Sequence, residues 1–316
     1  MKQMNNLNEV AELLNNNDGY AILTHQFPDG DTLGSAYALC EMLQQKGKKA
    51  KVLINGTMPA KFAYLEAGID KTDFEPEAII SVDVADSKLL GELEIYTPQI
   101  KLAIDHHETH KEFAESYYVK CSASNCENIF ELGNVLGITF TKTIANAIYT
   151  GVVTDTGCFK FTNTTVETHL IAAKLMEYGC DAHKINKAMF DTVSKNKKAL
   201  ESYVIGNMQY FHNDEVAFAY TTKEILQRFD ITEDQVEGIS AIPRTIEGVK
   251  VGITLREKDE TTFKVSIRSN EGICANEICA RFGGGGHKAA AGCAIEGTVE
   301  QVRDTLLPVV YEFLEK

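Results

Sequence analysis

The sequence predicts an α/β protein with an N-terminal, doubly wound, mainly parallel sheet domain and a smaller C-terminal α/β domain. The chain has 316 residues, which is more than one domain usually contains. Apolar runs of strand length alternate with amphipathic helical runs over the first 180 residues, and this is the order of successive βαβ units. More β-rich segments follow a polar stretch that has few helix breakers.

In the N-terminal part, short buried strands are separated by turns and helical segments. The expected strands are 19–24, 51–54, 78–82 and 101–104. The expected helices show apolar residues at helical spacing, and they are 31–46, 124–136 and 141–153.

The C-terminal part begins after a stretch with a helical pattern at 193–208. Three β-rich segments and a final helix follow, at 215–221, 249–256, 262–268 and 298–314. We therefore expect domains at 1–185 and 210–316, joined by a helical connector at 186–209.

The charge balance argues against long nucleic acid as a partner. The net charge is −14, so phosphates of a duplex would be repelled at long range. Short phosphorylated substrates are still allowed, because bound cations and a few local basic groups can attract them. The amphipathic start lacks a secretory signal, no apolar run is long enough to span a membrane, and none of the eight cysteines forms a Cys-x-x-Cys pair. We expect a cytoplasmic protein with reduced cysteines and no membrane partner.

Acidic and histidine side chains follow the first expected strand closely. His25, Asp29 and Asp31 lie within seven residues, and Pro28 and Gly30 turn the chain between them. In open parallel sheets, ligands bind beyond the carboxyl ends of the strands. A turn with an aspartate helix cap is the alternative explanation.

Two further strands are also followed by such side chains. Asp83 comes directly after the apolar run 78–82 and needs a partner or a metal if it is buried. Asp86 fits a helix N-cap better. Asp105, His106 and His107 follow 101–104, where the alternative is a pair of structural histidines; we expect His110, in a polar loop, to be solvated.

Asp155 completes the set, although it could equally cap the turn that contains Gly157. Together the motifs supply four aspartates and two histidines without cysteine, a donor set that suits Mn²⁺ and, less selectively, Mg²⁺, Zn²⁺ or Fe²⁺. A pair of such ions can activate water and hold the oxygens of a phosphoryl group. Asp83 is the best-placed residue to bind both ions.

The motifs HQFPDGD, VDVAD, DHH and GVVTDTG, in this order, resemble those of the DHH phosphoesterase superfamily. The segment FGGGGH resembles the substrate-binding motif of the DHH-associated C-terminal domain, and the segment SIRS together with GGGGH resembles the oligoribonuclease/pAp-phosphatase (nano-RNase) group. The resemblance covers nearly the whole chain. It implies a metal-binding catalytic domain at 1–185 and a substrate-binding domain at 210–316, with the active site in the cleft between them.

The resemblance also implies roles for individual residues. His25, Asp29 and Asp83 would bind one ion, and the second ion would be bound by Asp31, Asp83, His106 and Asp155. His107 would hydrogen-bond the scissile phosphate, with Asp105 orienting a histidine. The terminal phosphate and sugar of the substrate would be bound by residues of the C-terminal domain, namely Arg268, Ser269, Gly284, Gly285, Gly286 and His287.

The implied function is hydrolysis, with two divalent ions that are most readily Mn²⁺, of short oligoribonucleotides to mononucleotides and of 3′-phosphoadenosine 5′-phosphate (pAp). Two alternatives remain open: a phosphodiesterase for cyclic or linear dinucleotides such as cyclic di-AMP and pApA, and a non-catalytic nucleotide sensor. A homodimer is compatible with the sequence. A sensor would be expected to have lost a metal ligand, and every motif position carries the expected residue type.

Overall fold

The chain folds into two compact units. The computed structural model describes residues 1–236, 238–270 and 272–315. The units are Met1–Thr192 and Val193–Lys316, so the boundary falls inside the range 186–209. The helix Lys195–Gly206 occupies the expected connector stretch, and its Leu200 and Val204 pack in a hydrophobic cluster of the second unit.

The first unit is built on a parallel sheet of six strands among the described residues. The strands, in chain order, are β1 (Lys2–Gln3), β2 (Tyr20–Leu23), β3 (Ala50–Leu53), β4 (Ala78–Val82), β5 (Ile100–Asp105) and β6 (Ser116–Val119). Their order in the sheet is β1-β6-β5-β4-β2-β3. The chain leaves β2 toward β3 on one side and returns to β4 on the other, so the strand order reverses at β2 and β4. Such a reversal opens a crevice at the carboxyl ends of the two strands.

In the first unit, helices pack against the sheet and against one another. They are α1 (Leu7–Asn16), α2 (Gly30–Gln45), α3 (Asn125–Leu136), α4 (Lys142–Asp155), α5 (Val166–Glu177) and α6 (Ala182–Asn186). Strands β2 and β4 are buried along their whole length, because a parallel sheet is covered on both faces. Continuous apolar runs, rather than alternating ones, are therefore the pattern that encodes them.

The second unit is a mixed sheet with helices on both faces. Its strands are β7 (Gln209–Phe211), β8 (Val216–Thr221), β9 (Val251–Glu257), β10 (Thr262–Ser269), β11 (Gly285–His287) and β12 (Ala290–Glu296). Its helices are α7 (Lys195–Gly206), α8 (Lys223–Arg228), α9 (Ala275–Ala280) and α10 (Val299–Leu314). The strand order is β11-β12-β10-β9-β8-β7, and only β8 and β9 are parallel to each other among the described pairs.

The predicted fold class is confirmed, and the main differences are elements that the sequence analysis did not list, including the helices α1 and α5 and the strands β6, β11 and β12. Strand β11 lies inside the glycine-rich segment, where strand propensity is low, and it exists because it pairs with β12. Strand β6 is only four residues long and alternates in burial. Along the described chain, no helix combines the length and apolar character needed to cross a membrane.

Candidate metal centre

The carboxyl ends of three neighbouring strands deliver the candidate ligands of the first unit. His25 follows β2, Asp83 follows β4 and His106 follows β5 directly, and these strands are adjacent in the order β5-β4-β2. Asp31 and Asp155 come from the first turn of α2 and the last residue of α4. Residues that are far apart in sequence thus meet because parallel strands all end at one edge of the sheet.

Backbone amides fix two of the aspartates. Asp29 is the N-cap of α2, and its Oδ1 accepts hydrogen bonds from the amides of Asp31 (3.0 Å) and Thr32 (3.1 Å). Asp31 is buried, and its two carboxylate oxygens accept bonds from Asn125 N (2.6 Å) and Cys126 N (2.9 Å) at the start of α3. The amino ends of helices favour negative charge. Asp29 is thus the aspartate helix cap that the sequence offered as an alternative, and its Oδ2 takes no part in the capping bonds.

Asp83 lies at the centre of the cluster. Its backbone has a φ of 57°, in the left-handed region, which aspartate and asparagine tolerate better than most residues. The side chain is 5% exposed, and its Oδ1 has no hydrogen-bond partner among the described residues. His25 Nε2 lies 3.9 Å from Asp83 Oδ2, and His106 Nε2 lies 3.4 Å from Asp83 Oδ1. One carboxylate thus faces histidines from two sides.

The hydrogen bonds of His106 fix its tautomer. Its Nδ1 lies 3.0 Å from the carbonyl oxygen of Ser122, and because a carbonyl only accepts, Nδ1 carries the proton. Nε2 of the neutral ring is then free to bind a metal ion. It lies 3.8 Å from both Asp31 Oδ2 and Asp155 Oδ2.

Asp105 is a buried carboxylate that accepts from two histidines. Its Oδ1 accepts a hydrogen bond from His107 Nδ1 (2.8 Å), and its Oδ2 accepts one from His110 Nδ1 (2.7 Å). Burial alone would raise the pKa of Asp105, but the bonds from the two histidines lower it overall. His107 is thereby oriented with Nε2 pointing away from Asp105.

The expectation that His110 is solvated is wrong. Its side chain is only 3% exposed and stacks near Phe113 and Tyr117. The sequence analysis missed the burial of His110 because the surrounding residues are polar and its hydrogen-bond partner, Asp105, lies five positions away in another element. A third histidine soon after the DHH triplet was the available signal.

Crowding of the carboxylates changes their protonation. Burial and the charge of Asp31 raise the pKa of Asp83, and the same two causes raise the pKa of Asp155 to about 7. Burial lowers the pKa of His106, whereas nearby Asp83 and Asp31 raise it to about 11 overall. The cluster thus binds positive charge strongly, and divalent cations would replace the protons that it otherwise holds.

The donor set fits two divalent cations. Three groups of side chains each place their ligand atoms within 4.8 Å of one another, and they are Asp83–His106–His107, His25–Asp29–Asp83 and Asp31–His106–Asp155. All the donors are carboxylate oxygens or imidazole nitrogens, a set that suits Mn²⁺ and related ions. The unpartnered Asp83 Oδ1 is a buried acceptor that a cation would satisfy.

Glycines let the supporting helices approach one another. A Cβ atom on Gly151 of α4 would lie 2.5 Å from Asp31 Oδ1 and 2.8 Å from Cys126 Cβ. Gly30 and Gly34 of α2 are similarly close to Thr154 and to Ala147 of α4. These contacts hold Asp31 and Asp155 near each other, since both residues sit at the ends of these two helices.

The second unit places most, but not all, of the expected substrate-binding residues together. Arg268 pairs with Ala290 across β10 and β12, and Ala290 pairs with His287 across β12 and β11. Residues that are directly paired share a face of the sheet, so Arg268 and His287 lie on the same face. Ser269 does not: it is 2% exposed on the opposite face, and its hydroxyl donates to Ile273 O at 2.7 Å.

The glycine-rich segment owes part of its composition to packing. Side chains at Gly284 or Gly286 would collide with β12, at Cys293 and Ala291 respectively, and Gly286 has a φ of 142°. A Cβ on Gly285 would meet no atom within 4 Å. At Gly285, as at Gly283, the missing side chain leaves open space where a ligand could approach.

Phe27 is a site residue that the sequence analysis did not single out. Its ring is 79% exposed, although it lines a cavity of about 250 Å³ together with His25, Asp83, His106 and His107. An exposed aromatic ring at the edge of such a cavity offers a face on which a planar group of a ligand can stack. An aromatic residue between the motif histidine and proline was the only sequence signal.

Family models match both halves of the chain. Residues 20–152 match the model of the DHH family, N-terminal domain, and residues 213–316 match the DHHA1 domain. The bifunctional oligoribonuclease and PAP phosphatase NrnA of Thermus thermophilus is 31% identical over 315 residues, covering 97% of this chain and 94% of the relative.

Solved structures show the same fold. An exopolyphosphatase-related protein from Bacteroides fragilis aligns with a TM-score of 0.86 and 28% identity, over 98% of this chain and 95% of that one. The exonuclease RecJ bound to manganese aligns with a TM-score of 0.56 and 15% identity, over 98% and 94% of the two chains, and shares the fold. On its paired domains and its near full-length similarity, the chain belongs to the DHH phosphoesterase family.

Proposed function

We propose that this chain hydrolyses di- to pentaribonucleotides to mononucleotides and removes a phosphate from pAp, using two divalent ions that are preferably Mn²⁺. The observation that carries the proposal is the complete ligand cluster around Asp83, with three overlapping groups of oxygen and nitrogen donors. The relative from T. thermophilus, which is named for both activities and matches over nearly its whole length, supports the choice of substrates.

The proposed ligands divide into two sets that share Asp83. His25, Asp29 and Asp83 bind one ion, and the other is bound by Asp31, Asp83, His106 and Asp155. When bound, such ions lower the pKa of water and stabilise negative charge on phosphoryl oxygens. The four aspartates carry the charge needed to balance two divalent ions.

The remaining residues position the substrate. His107 donates from Nδ1 to Asp105 at 2.8 Å and, as the imidazolium, would also donate from Nε2 to an oxygen of the scissile phosphate. Arg268, His287 and the backbone of Gly284, Gly285 and Gly286 bind the terminal phosphate and sugar. Ser269 supports this surface from the opposite face of β10 through its bond to Ile273.

Phe27 favours nucleotides over inorganic substrates. An exposed aromatic ring beside the metal cluster offers a face on which a nucleobase can stack, and such stacking is worth about 1–3 kcal/mol per base. Pyrophosphate has no base to use it. The cytoplasm is the proposed location, since all eight cysteines are free thiols.

The test is a substrate panel with a matched pair of variants. The protein is incubated with Mn²⁺ and an RNA dinucleotide, pAp, cyclic di-AMP or pyrophosphate, and release of AMP or phosphate is measured. We expect turnover of the dinucleotide and pAp. Asp83→Asn, which suits the left-handed backbone, should abolish it, whereas Asp86→Asn, at an N-cap outside the cluster, should not.

Each outcome separates the candidate functions. Cleavage of cyclic di-AMP alone would support the dinucleotide phosphodiesterase, and no turnover of any substrate would refute the enzymatic proposal. A Phe27→Ala variant should raise the KM for the dinucleotide without weakening binding of Mn²⁺.

A further inference from the structure

One face of the second sheet carries cations in a row that extends beyond Arg268. On β10, Lys264, Ser266 and Arg268 alternate and so point to the same side. Lys264 pairs with Arg256 of β9, which pairs in turn with Thr221 of β8. The register thus places Arg256 and Lys264 on the same face as Arg268, at the other end of the strands.

Small residues keep this face open between the two ends. Arg268 pairs with Gly252 on one side and with Ala290 on the other, and Ser266 pairs with Gly292. A cavity of about 390 Å³ lies over the face, within the size range of small-ligand sites. Its lining includes Arg268, Arg256 and Lys264, so it spans both ends of the row.

The chemistry of the cavity is that of an anion site. Among the described residues that line it, none is acidic, although the whole chain has a net charge of −14. Within the described part of the chain, neither Arg256 nor Lys264 has a carboxylate within 4.0 Å. These cations are therefore free to bind a ligand, and guanidinium and ammonium groups bind phosphate well.

Two buried hydroxyls on the same face also lack hydrogen-bond partners among the described residues. Thr221 and Thr254 both line the cavity and are 1% and 5% exposed, and neither Oγ1 has a hydrogen-bond partner among the described residues. Buried hydroxyls are normally satisfied. A ligand oxygen, or water held with it, would provide the missing partner.

We propose that Arg256 and Lys264, with the hydroxyls of Thr221 and Thr254, form a second phosphate-binding subsite for a nucleotide farther along an oligonucleotide than the one at Arg268. This inference rests on the proposed function and specifies its substrate length. Lys264 and Arg268 are four residues apart in β10, which is roughly 13 Å along a strand. A stacked nucleic-acid strand covers this distance in about four nucleotides.

The subsite therefore distinguishes substrates by length. A pentanucleotide reaches from Arg268 to Lys264 and Arg256, whereas pAp and a stacked dinucleotide do not. Loss of one charge-assisted contact lowers affinity about tenfold. Each phosphate contact to a single strand also contributes about 0.7 to the slope of log affinity against log salt concentration.

Binding is measured without catalysis, on the full chain in EDTA, by fluorescence anisotropy of a labelled pentaribonucleotide and a labelled diribonucleotide. We expect Arg256→Gln and Lys264→Gln each to weaken pentanucleotide binding about tenfold and to reduce the salt slope by about 0.7. Dinucleotide binding should not change. Lys258→Gln, which removes the same charge from the β9–β10 connection outside the cavity lining, should match the wild type.

Three results would overturn the subsite. They are unchanged pentanucleotide binding in both variants, equal weakening for both lengths, and no pentanucleotide binding by the wild type. Thermal unfolding curves matching the wild type establish that the variants fold. Hydrolysis of the dinucleotide with Mn²⁺ is assayed separately, and its absence in the wild type would refute the proposed function while leaving the EDTA comparison interpretable.

Discussion

Gly151→Ala tests whether close helix packing holds the metal centre together. The new Cβ atom would lie 2.5 Å from Asp31 Oδ1, so about 0.9 Å of movement is needed to restore an ordinary contact. Asp31 cannot move freely, because both of its oxygens accept backbone hydrogen bonds, at 2.6 and 2.9 Å. Cys126, which is fully buried beside Gly151, blocks relaxation on the other side.

The expected cost follows from these contacts. Overpacking lowers the free energy of unfolding by about 1–3 kcal/mol. Weakened hydrogen bonds to the charged carboxylate of Asp31 lower it further. The higher helix propensity of alanine raises it by up to about 1 kcal/mol. We expect a net loss of about 1–3 kcal/mol, or about 2–4 °C in Tm per kcal/mol for a unit of this size. Displacement of Asp31 should weaken Mn²⁺ binding tenfold or more, as for other disturbances of metal-ligand support, which cost about 10–100-fold.

The assay pairs differential scanning fluorimetry with Mn²⁺ titration by calorimetry. Gly206→Ala is the matched control, because Gly206 is also helical but a Cβ there meets nothing within 4 Å. The Gly206→Ala substitution should raise the free energy of unfolding slightly, by up to about 1 kcal/mol. A Gly151→Ala protein that melts like the control and binds Mn²⁺ like the wild type would refute the packing argument.

Three other predictions concern single side chains and pH. His110→Ala should leave one buried oxygen of Asp105 unpaired and lower kcat about 10–100-fold through misorientation of His107, measured by steady-state kinetics beside an unchanged Mn²⁺ affinity. Ser269→Ala should destabilise the second unit by about 1 kcal/mol while leaving the KM for pAp unchanged, whereas Arg268→Gln should raise that KM. If Ser269→Ala raised the KM and Arg268→Gln did not, Ser269 would have to contact the substrate. Because the pKa of Asp155 is raised to about 7, the metal-free folded state binds more protons than the unfolded state between about pH 4 and 7, so its stability should fall as pH rises through that window. Mn²⁺ must displace this proton and also the one held on His106, whose pKa is raised to about 11, so the Kd for Mn²⁺ should increase by at least about tenfold per pH unit below 7, which titrations at pH 6 and pH 8 would check.

Short-range patterns explain why much of the metal centre could be predicted. The apolar runs that became β2, β4 and β5 end at His25, Asp83 and Asp105 within a residue or two, because a buried strand must stop where charged residues begin. Parallel pairing then brings these ends to one edge of the sheet. Locating the strand ends and bringing them to one edge both follow from the predicted fold class, without knowledge of any particular contact between distant residues.

Residues whose partners are remote could not be predicted in this way. His110 lies in a polar segment, and only its bond to the buried Asp105 removes it from solvent. Strand β11 consists of residues with low strand propensity and forms by pairing with β12. For Ser269 a local rule was available: neighbours in a strand point to opposite faces, so Arg268 and Ser269 could not both face one ligand.

The sequence by itself determined the fold class, the family and the residue types of the candidate ligands, because apolar periodicity and residue order are properties of the chain alone. Only the tertiary structure decided which candidate ligands meet around Asp83, which histidines Asp105 orients, and which residues of β9 and β10 share a face with Arg268. These depend on register and on helix packing at distances near 3 Å, and contacts of that kind join residues that the sequence keeps far apart.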